Sequence, residues 1–358
     1  MAPIYSAPKT RDHSRRFAAL PREPRDSERS SLSEFRAAEG VRRFTAVAPH
    51  ESDAWWRYAI AKSARGELDM AEQRALSRAS GAAGNFLAPA DLEQKIVAAA
   101  RSESAIARLA NEFVTDSGAT LTIPTAPAGG TASWVAENSP ATASDPTLGE
   151  VPLGAFKSAT RVVVSEELAR DARAAFDTYL ADEIGRRLGV AQGASFATGT
   201  GAGQPQGLAP TVTAVTAATG SATSFKLADI TSVYRALPAQ YRGRASWLLH
   251  PDTFAGLAAL VDTSGGLVLP ALQSAEPALL GRPVLLEPFL PAPAAGARSC
   301  VFADVKSAYA VRRVAGVSVQ RLEEVFSDNG QLGFRARERV DGRVTLGDAC
   351  RALAHSAT

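Results

Sequence analysis

The sequence has few of the residues that build metal sites and redox centres. Its 358 residues include two cysteines, Cys300 and Cys350, and four widely scattered histidines. No Cys or His cluster has the spacing of a zinc site, so we expect no metal and no cofactor. One disulfide between the two cysteines stays an open alternative, although so few cysteines favour a reducing cytosolic setting.

Long apolar runs and a strong net charge are also absent. No apolar stretch approaches the roughly 20 residues of a membrane span, and the N-terminus lacks the apolar core of a secretory signal. The formal net charge is only +2, so the chain as a whole has no strong field for nucleic acid or a membrane. The hydrophobic content of 46% is enough for a substantial core.

Catalytic motifs are scarce as well. No Ser lies in a G-x-S-x-G elbow. His250 with Asp252 is the best candidate for a nucleophile system, whereas the competing interpretation places His250 at a strand end and Asp252 at a helix start. Glu166 and Glu167 are adjacent, so on a helix they point about 100° apart and cannot face each other as an acid/base pair. We therefore expect no catalytic residue, and a hydrolase using His250 is the rival hypothesis.

The first 50 residues differ from the rest of the chain. They are rich in Arg, Ser, Pro and Glu, and their ten basic residues outnumber six acidic ones. Because the segment has few large apolar residues, it cannot form a hydrophobic core, and we expect it to lie outside the folded unit. Short helices are predicted within 30–44 and 51–67, and another begins near Pro89.

From Gly118 the pattern changes to short strands. ATLTIP and SWVAE precede a polar tip, ENSPATASDPTLGE, and VPLGAFKSATRVVVS returns with strand character. This order predicts a long β-hairpin arm. An isolated two-stranded ribbon is only marginally stable in water, so such an arm needs a partner surface.

A long helix is predicted next, over 166–198. Ser165 is a suitable N-cap. Apolar residues recur every four positions on one face: Leu168, Ala172, Phe176, Leu180, Ile184 and Leu188. Gly185, Gly189 and Gly193 also recur every four positions, which indicates either a bend or the close approach of another backbone.

A glycine-rich stretch, GTGAGQPQGL, ends this helix. A dinucleotide-binding loop would need a preceding strand and a third glycine where Gln204 lies, and a P-loop would need a Lys followed by Ser or Thr. The pattern instead predicts a turn. The residues of this predicted turn are Gly199, Gly201, Gly203, Gln204, Pro205 and Gly207.

The remaining sequence predicts a mixed α/β module followed by charged strands. Strands are expected in ASWLLH, RPVLLEP, SCVFADV and AYAVRRV, and helices in LADITSVYRALPAQY and PDTFAGLAALVD. VSVQRLEEV and GQLGFRARERVDGRVTLGD are the terminal strands. Their alternating charge suggests a surface-facing side that pairs with a neighbour, formed by Arg335, Arg337, Glu338 and Arg339.

The order of these segments resembles that of tailed-phage major capsid proteins, the Hong Kong 97-like fold family. The resemblance extends from about Trp55 to Ala354 and depends on four motifs taken together: SWVAE, GxGxxQPxG, LLGRPV and DNGQxxFRARxRVDG. It implies an α+β fold and a major capsid protein that self-assembles into pentamers and hexamers of an icosahedral head around double-stranded DNA. Wedge-shaped copies with protruding arms can cover one another's edges through heterologous contacts that close into rings.

The resemblance also divides the chain into regions. It implies an N-terminal scaffold-like segment at 1–50, an N-arm at 51–88, a P-domain at 89–118, 161–205 and 310–358 with its spine helix at 166–198, an E-loop at 119–160, and an A-domain at 206–309. The assembly residues of the E-loop tip would be Trp134, Glu137, Asn138, Pro140, Asp145, Pro146 and Leu148. The glycine turn would lead from the spine helix into the A-domain.

The partners implied are other copies of the chain and non-specifically bound DNA, with portal, scaffold or protease and decoration proteins possible, and no membrane. The subunit would be part of the virion, assembled in the bacterial cytoplasm. Encapsulins and gene-transfer particles share the fold and stay open as alternatives. One branch of the family cross-links an arm lysine to an asparagine of a neighbour. Here the arm's only lysine, Lys157, lies at its base and Asn329 begins a turn, so no cross-link is expected.

Overall fold

The structure, a computed structural model, describes residues 90–128, 134–135, 147–171, 173–218, 220–322 and 325–357. Its helices are α1 (Ala90–Ser102), α2 (Ala105–Leu109), α3 (Glu166–Asp171), α4 (Arg173–Thr198), α5 (Leu208–Thr211), α6 (Leu227–Ala236), α7 (Ala239–Arg242), α8 (Pro251–Ala258) and α9 (Val305–Ala308). Its strands are β1 (Asn111–Thr115), β2 (Leu121–Ala128), β3 (Thr147–Leu153), β4 (Phe156–Ser165), β5 (Ala214–Thr216), β6 (Ser246–Leu249), β7 (Ala278–Leu279), β8 (Arg282–Leu286), β9 (Cys300–Ala303), β10 (Tyr309–Leu322), β11 (Gln331–Val344) and β12 (Cys350–Ala354). The expectations for 1–50 and 51–88 lie outside the described residues.

One half of the fold is a four-stranded sheet covered by the long helix α4. The strand order is β1-β10-β11-β4, in which β1 is parallel to β10 and the other pairs are antiparallel. The apolar stripe of α4 packs on this sheet, and Phe176, Leu180 and Ile184 are buried against Phe334 and Ala336. Leu168 was predicted to extend this stripe, but it is 45% exposed because it lies in α3, ahead of the packed region.

Strand β10 is longer than the sequence pattern suggested, whereas β11 is shorter and ends at Val344, before the end of the predicted GQLGFRARERVDGRVTLGD. AYAVRRV and VSVQRL, predicted as separate strands, form one strand interrupted by a bulge between Val314 and Ser318. Ala315 and Gly316 have φ angles of 56° and 71°. A bulge leaves residues without a cross-strand partner and bends the strand without ending it, which is why an Ala-Gly pair that reads as a break does not stop the sheet.

The other half is a six-stranded sheet with the order β5-β12-β9-β6-β8-β7. Trp247 and Phe302 stack in its core with ring centroids 4.2 Å apart. The last strand, β12, was grouped with the four-stranded half in the expected 310–358 region, but it lies here, between β5 and β9. The helix predicted over LADITSVYRALPAQY is two helices, since Pro238 has no N–H to continue the first one.

Small residues let α1 and α4 pack unusually close together. A Cβ atom at Gly185 would lie 2.5 Å from Ala99 Cβ, and one at Gly189 would lie 2.5 Å from the Ala100 carbonyl oxygen. A Cβ at Gly193 would collide with the ring of Phe289. Of the two explanations for the glycine repeat, the structure shows the close approach of another backbone.

Candidate functional site

The β-hairpin arm has little support from the rest of the described chain. Within the described residues, strands β2 and β3 pair only with each other, from Leu121 opposite Leu153 to Ala128 opposite Thr147. Trp134 is fully exposed and Val135 is 47% exposed. The arm therefore presents a large aromatic group to solvent, on a ribbon to which no other described strand is added.

The predicted tip residues are only partly within the described region. Trp134 and Val135 have no regular secondary structure, which corrects the strand predicted for SWVAE. Leu148 lies in β3. The other tip positions, Glu137, Asn138, Pro140, Asp145 and Pro146, lie outside the described residues.

Arg312 holds both feet of the arm. It is 2% exposed, and its guanidinium donates to the carbonyl oxygens of Ser117 and Ala119 on one foot, at 2.8 and 2.6 Å. On the other foot it donates to the carbonyl oxygens of Leu153 and Gly154, at 2.8 and 3.1 Å. Its Nε also donates to Thr115 Oγ1 at 3.0 Å. One buried guanidinium thus connects the start of β2, the end of β3 and strand β10.

Asp341, on the neighbouring strand β11, also contacts the arm root, which is the pair of feet where the arm joins the sheet. Its carboxylate accepts the backbone N–H of Gly154 at 2.6 Å and that of Gly342 at 2.8 Å, and it lies 3.6 Å from Arg343 Nε. Burial raises the pKa of this carboxyl group. Because Arg312 and Asp341 are directly opposite each other across β10 and β11, the two root contacts act from one point of the sheet.

A second buried ionic cluster joins the sheet to the helices. Arg313 donates its Nε to Glu112 at 2.6 Å and pairs with Glu338, which also accepts from Gln192 Nε2 of α4 at 2.7 Å. Arg101 of α1 pairs with Glu112. Burial lowers the pKa of Arg101. The cluster therefore spans α1, β1, β10, β11 and α4.

Glu338 consequently does not face a neighbour as the sequence suggested. Alternate residues of a strand point to opposite faces. Arg335, Arg337 and Arg339 lie on the face away from α4, whereas Glu338 points inward and is 3% exposed. The alternating charge along β11 therefore combines three outward arginines with one inward carboxylate.

Two backbone donors of the glycine turn are used within the turn itself. The N–H of Gly201 donates to the Pro205 carbonyl at 3.3 Å, and the N–H of Gly207 donates to that of Gly199 at 2.8 Å. Gly201 and Gly203 have φ angles of 78° and 72°, in the left-handed region that favours glycine. Since these N–H groups already have partners, they are not available to cradle a phosphate.

The turn is also fixed to the sheet. Gln206 donates its N–H to the Gly342 carbonyl at 2.8 Å and accepts the hydroxyl hydrogen of Tyr309 at its own carbonyl. Gln204 Nε2 donates to Thr200 Oγ1 at 3.2 Å, which closes the loop on itself. The turn therefore directs the chain from α4 into α5 at a position set by β10 and β11.

His250 caps a helix. Its Nδ1 accepts the backbone N–H of Asp252 at 3.1 Å at the start of α8, and the Asp252 side chain is 72% exposed. This is the arrangement of the competing interpretation, in which the two residues end a strand and begin a helix. In the described ranges no cluster of three or more His, Cys, Asp or Glu residues has metal-site geometry.

A Ser-His pair does occur, but it is sealed inside the six-stranded half. Ser299 Oγ lies 2.7 Å from His355 Nε2, and the ring stacks on Phe225 with centroids 3.9 Å apart. Ser299 and His355 are 0% and 1% exposed. Burial lowers the pKa of His355. The pair therefore fixes the chain end in place and offers no access to a substrate.

The two cysteines are free and buried on opposite faces of the six-stranded sheet. Cys350 packs in the core shared with α4, and Cys300 packs in the core around Trp247. Burial raises the pKa of both thiols. The disulfide that the sequence left open is absent. No helix within the described residues is long and apolar enough to cross a membrane.

Sequence reasoning did not identify Arg312, Arg313 or Asp341 as organising residues. The dipeptide Arg312-Arg313 within an otherwise apolar strand was the available clue, since a buried arginine needs partners. All the partners of Arg312 and the Glu112 partner of Arg313 lie about 160 to 200 positions earlier in the chain, and Glu338 lies 25 positions later, so no local pattern reveals them.

Comparisons with known proteins show which family and which solved structures this fold matches. A family model described as the phage capsid family matches residues 84–354. Among solved structures, the capsid of an empty GTA particle is 23% identical with a TM-score of 0.62, covering 72% of this chain and 91% of that chain. The capsid of a native GTA particle is 24% identical with a TM-score of 0.60, covering 72% and 90%. A Mycobacterium phage Cain structure is 17% identical with a TM-score of 0.54, covering 72% and 91%. No curated protein matches the chain.

Proposed function

The chain belongs to the phage capsid family and has the Hong Kong 97-like fold of a major capsid shell protein, and from this premise we propose how it builds its shell. Subunits assemble into pentamers and hexamers of an icosahedral head that encloses double-stranded DNA. The arm of each subunit lies over the next subunit. As a component of a capsid, the chain has a structural role.

The exposed arm is the observation that carries this proposal. Trp134 is fully exposed at the end of the β2-β3 ribbon, whose strands pair with no other described strand. Trp is enriched among residues that dominate binding energy at interfaces. A two-stranded ribbon gains stability when it packs on another surface, and heterologous packing of this kind closes into rings.

We assign the two halves of the fold to the regions that the resemblance implied, with β12 as the exception. We assign the arm at 119–160 as the E-loop, α4 as the main part of the spine helix, and the four-stranded half as the P-domain. The six-stranded half is the A-domain, extended by β12 beyond the expected 206–309. The glycine turn, fixed to β11 through Gln206, sets the direction in which the chain enters the A-domain.

The cargo and partners follow from the same assignment. The first 50 residues carry a net charge of +4, ten basic against six acidic residues. A basic segment repeated over many subunits would offset packaged phosphate charge. Portal, scaffold or protease and decoration proteins would join the shell in the host cytoplasm. A gene-transfer particle is the second candidate, favoured by the higher TM-scores of the two GTA capsids, 0.62 and 0.60 against 0.54 for the phage capsid described above.

Deleting residues 138–148 tests the role of the arm. We expect a folded subunit with an unchanged melting temperature, because the deletion leaves both sheets and the contacts of Arg312 in place. We also expect a much lower yield of shells in sedimentation and negative-stain microscopy. Trp134→Ala is the finer variant, which keeps the ribbon and removes only the exposed ring. Shells at normal yield from the deletion would contradict the proposal.

A further inference from the structure

The face of the four-stranded sheet that points away from α4 carries a dense group of cations. We call it the basic face, and it consists of Lys157, Arg161, Arg335, Arg337 and Arg339. The cross-strand register places Lys157 directly opposite Arg339 and Arg161 directly opposite Arg335. Arg337 lies between these two pairs, opposite Ala159.

These cations have little compensation from their own chain. Among the described residues, no carboxylate lies within ion-pair distance of any of the five. Arg335 donates to Gln320 Oε1 at 2.6 Å, and Arg161 lies over the ring of Phe326, 5.3 Å from its centroid. Asp341, on the same face of β11 as Arg339, is buried and already accepts the backbone N–H groups of Gly154 and Gly342.

Like charges directly opposite each other destabilise a sheet. The basic face therefore carries an electrostatic cost in the isolated subunit. An acidic surface placed on it would relieve that cost, and burial between two subunits would strengthen the attraction, because fewer water molecules screen it. The face also has apolar contact area, since Ala159 and Val163 are exposed on the same side of β4.

The arm has the complementary charge. Between residues 119 and 156 the sequence contains three acids, Glu137, Asp145 and Glu150, and no Lys or Arg. Glu150 lies in β3 and is exposed. With a net charge of −3 and an exposed tryptophan, the arm matches a face that offers five cations and exposed apolar side chains.

We propose that the basic face is the docking surface for the acidic arm of a second copy of this chain. This inference rests on the proposed function and adds to it the receiving surface and the electrostatic basis of the contact. Charge pairs at this interface set the register in which one subunit lies on the next, since a shifted register would leave arginines of the basic face without an acidic partner.

A charge exchange in the full-length chain tests the proposal. The face variant Arg337→Glu with Arg339→Glu and the arm variant Glu137→Lys with Asp145→Lys and Glu150→Lys should each reduce shell yield at least about tenfold at low salt, the effect of losing about 1.4 kcal/mol per contact. Combining both variants restores opposite charges and should recover most of the yield. Arg235→Glu, an exposed arginine on α6 with the same charge change, is the matched control and should assemble normally.

Three outcomes would overturn the proposal. The face variant could assemble as well as the Arg235→Glu control, which would remove the basic face from the contact. The combined variant could show no recovery although each subunit keeps its melting temperature, which would exclude direct pairing. The face variant could form shells at normal yield with less DNA, which would identify nucleic acid as the partner. In each of these results the unmodified chain still forms shells and the proposed function stands, whereas an unmodified chain that stays monomeric contradicts the proposed function itself.

Discussion

The two sheets of this subunit are stabilised in different ways. The four-stranded half buries Arg312, Arg313, Glu338 and Asp341, each 5% exposed or less. The six-stranded half has an apolar and aromatic core around Trp247. Among the described residues, its buried charged groups are the carboxylates Asp229, Glu287 and Asp304, and it buries no arginine. The ionic half is also the half from which the arm and the long helix extend.

This difference indicates that the two cores serve different needs. Apolar packing is not directional, so it stabilises a module without fixing the angle of a projecting element. A guanidinium in the sheet with donors aimed at carbonyl oxygens on both arm feet fixes that angle, because hydrogen bonds weaken steeply when they are bent. Burying charged groups costs desolvation free energy. At the arm root these groups fix the angle at which the arm leaves the sheet, which apolar side chains cannot do.

Arg312→Ala should produce the largest loss of stability. It removes five hydrogen bonds and leaves four carbonyl oxygens at the arm root without this donor. Removing one partner from such a buried charged network costs about 3 to 5 kcal/mol. Urea unfolding of the unassembled subunit measures the effect.

Arg312→Lys separates charge from geometry at the same site. A lysine keeps the charge but has three donors on one nitrogen, which cannot reach both feet as the planar guanidinium does. We expect intermediate stability and a wider distribution of particle sizes. A loss below about 1 kcal/mol for Arg312→Ala, the value typical of an ordinary hydrogen bond, would refute the organising role of this residue.

The local parts of this architecture were predictable from sequence. The apolar stripe at Phe176, Leu180, Ile184 and Leu188 predicted α4, and the structure confirms it. The glycine turn was predicted from the missing strand before it and from Gln204, and the structure has a turn there in which the N–H groups of Gly201 and Gly207 donate to carbonyl oxygens of the turn. These features depend on interactions within a few residues along the chain.

The features that sequence could not predict depend on distant residues. Strand β12 lies between β5 and β9, which no local pattern specifies, so it was placed in the wrong half. The inward direction of Glu338 depends on Arg313 and on Gln192 of α4. Charge alternation in a strand predicts two faces, but it does not say which face the rest of the chain covers.

Glycine substitutions test the contrast between tightly and loosely packed helices, with a smaller effect. At Gly189→Ala the new Cβ would lie 2.5 Å from the Ala100 carbonyl oxygen, whereas at Gly256→Ala in α8 nothing lies within 4 Å. The first change should destabilise the subunit by about 1 to 3 kcal/mol through overpacking. The second should stabilise it by up to about 1 kcal/mol, because alanine is the better helix former.

The opposite signs of these two changes make the comparison decisive. Thermal unfolding of both variants beside the unmodified subunit is sufficient. If both alanines stabilise the subunit equally, α1 and α4 are not in close contact at Gly189, and the glycine repeat has another cause.

The smallest expected effect concerns the polar edge of the six-stranded half. Burial lowers the pKa of His355 from its ordinary 6.5, so the folded state binds this proton less readily than the unfolded state does. The nearby Asp229 carboxylate and the Ser221 carbonyl act in the opposite direction but do not reverse the shift. The stabilising contribution is therefore present above about pH 6.5 and is lost as the pH falls below it.

His355→Gln keeps a donor and an acceptor but cannot titrate, so its melting temperature should fall less between pH 7.5 and pH 5 than that of the unmodified subunit. Equal slopes for the two proteins would show that protonation of His355 is not linked to the stability of this half.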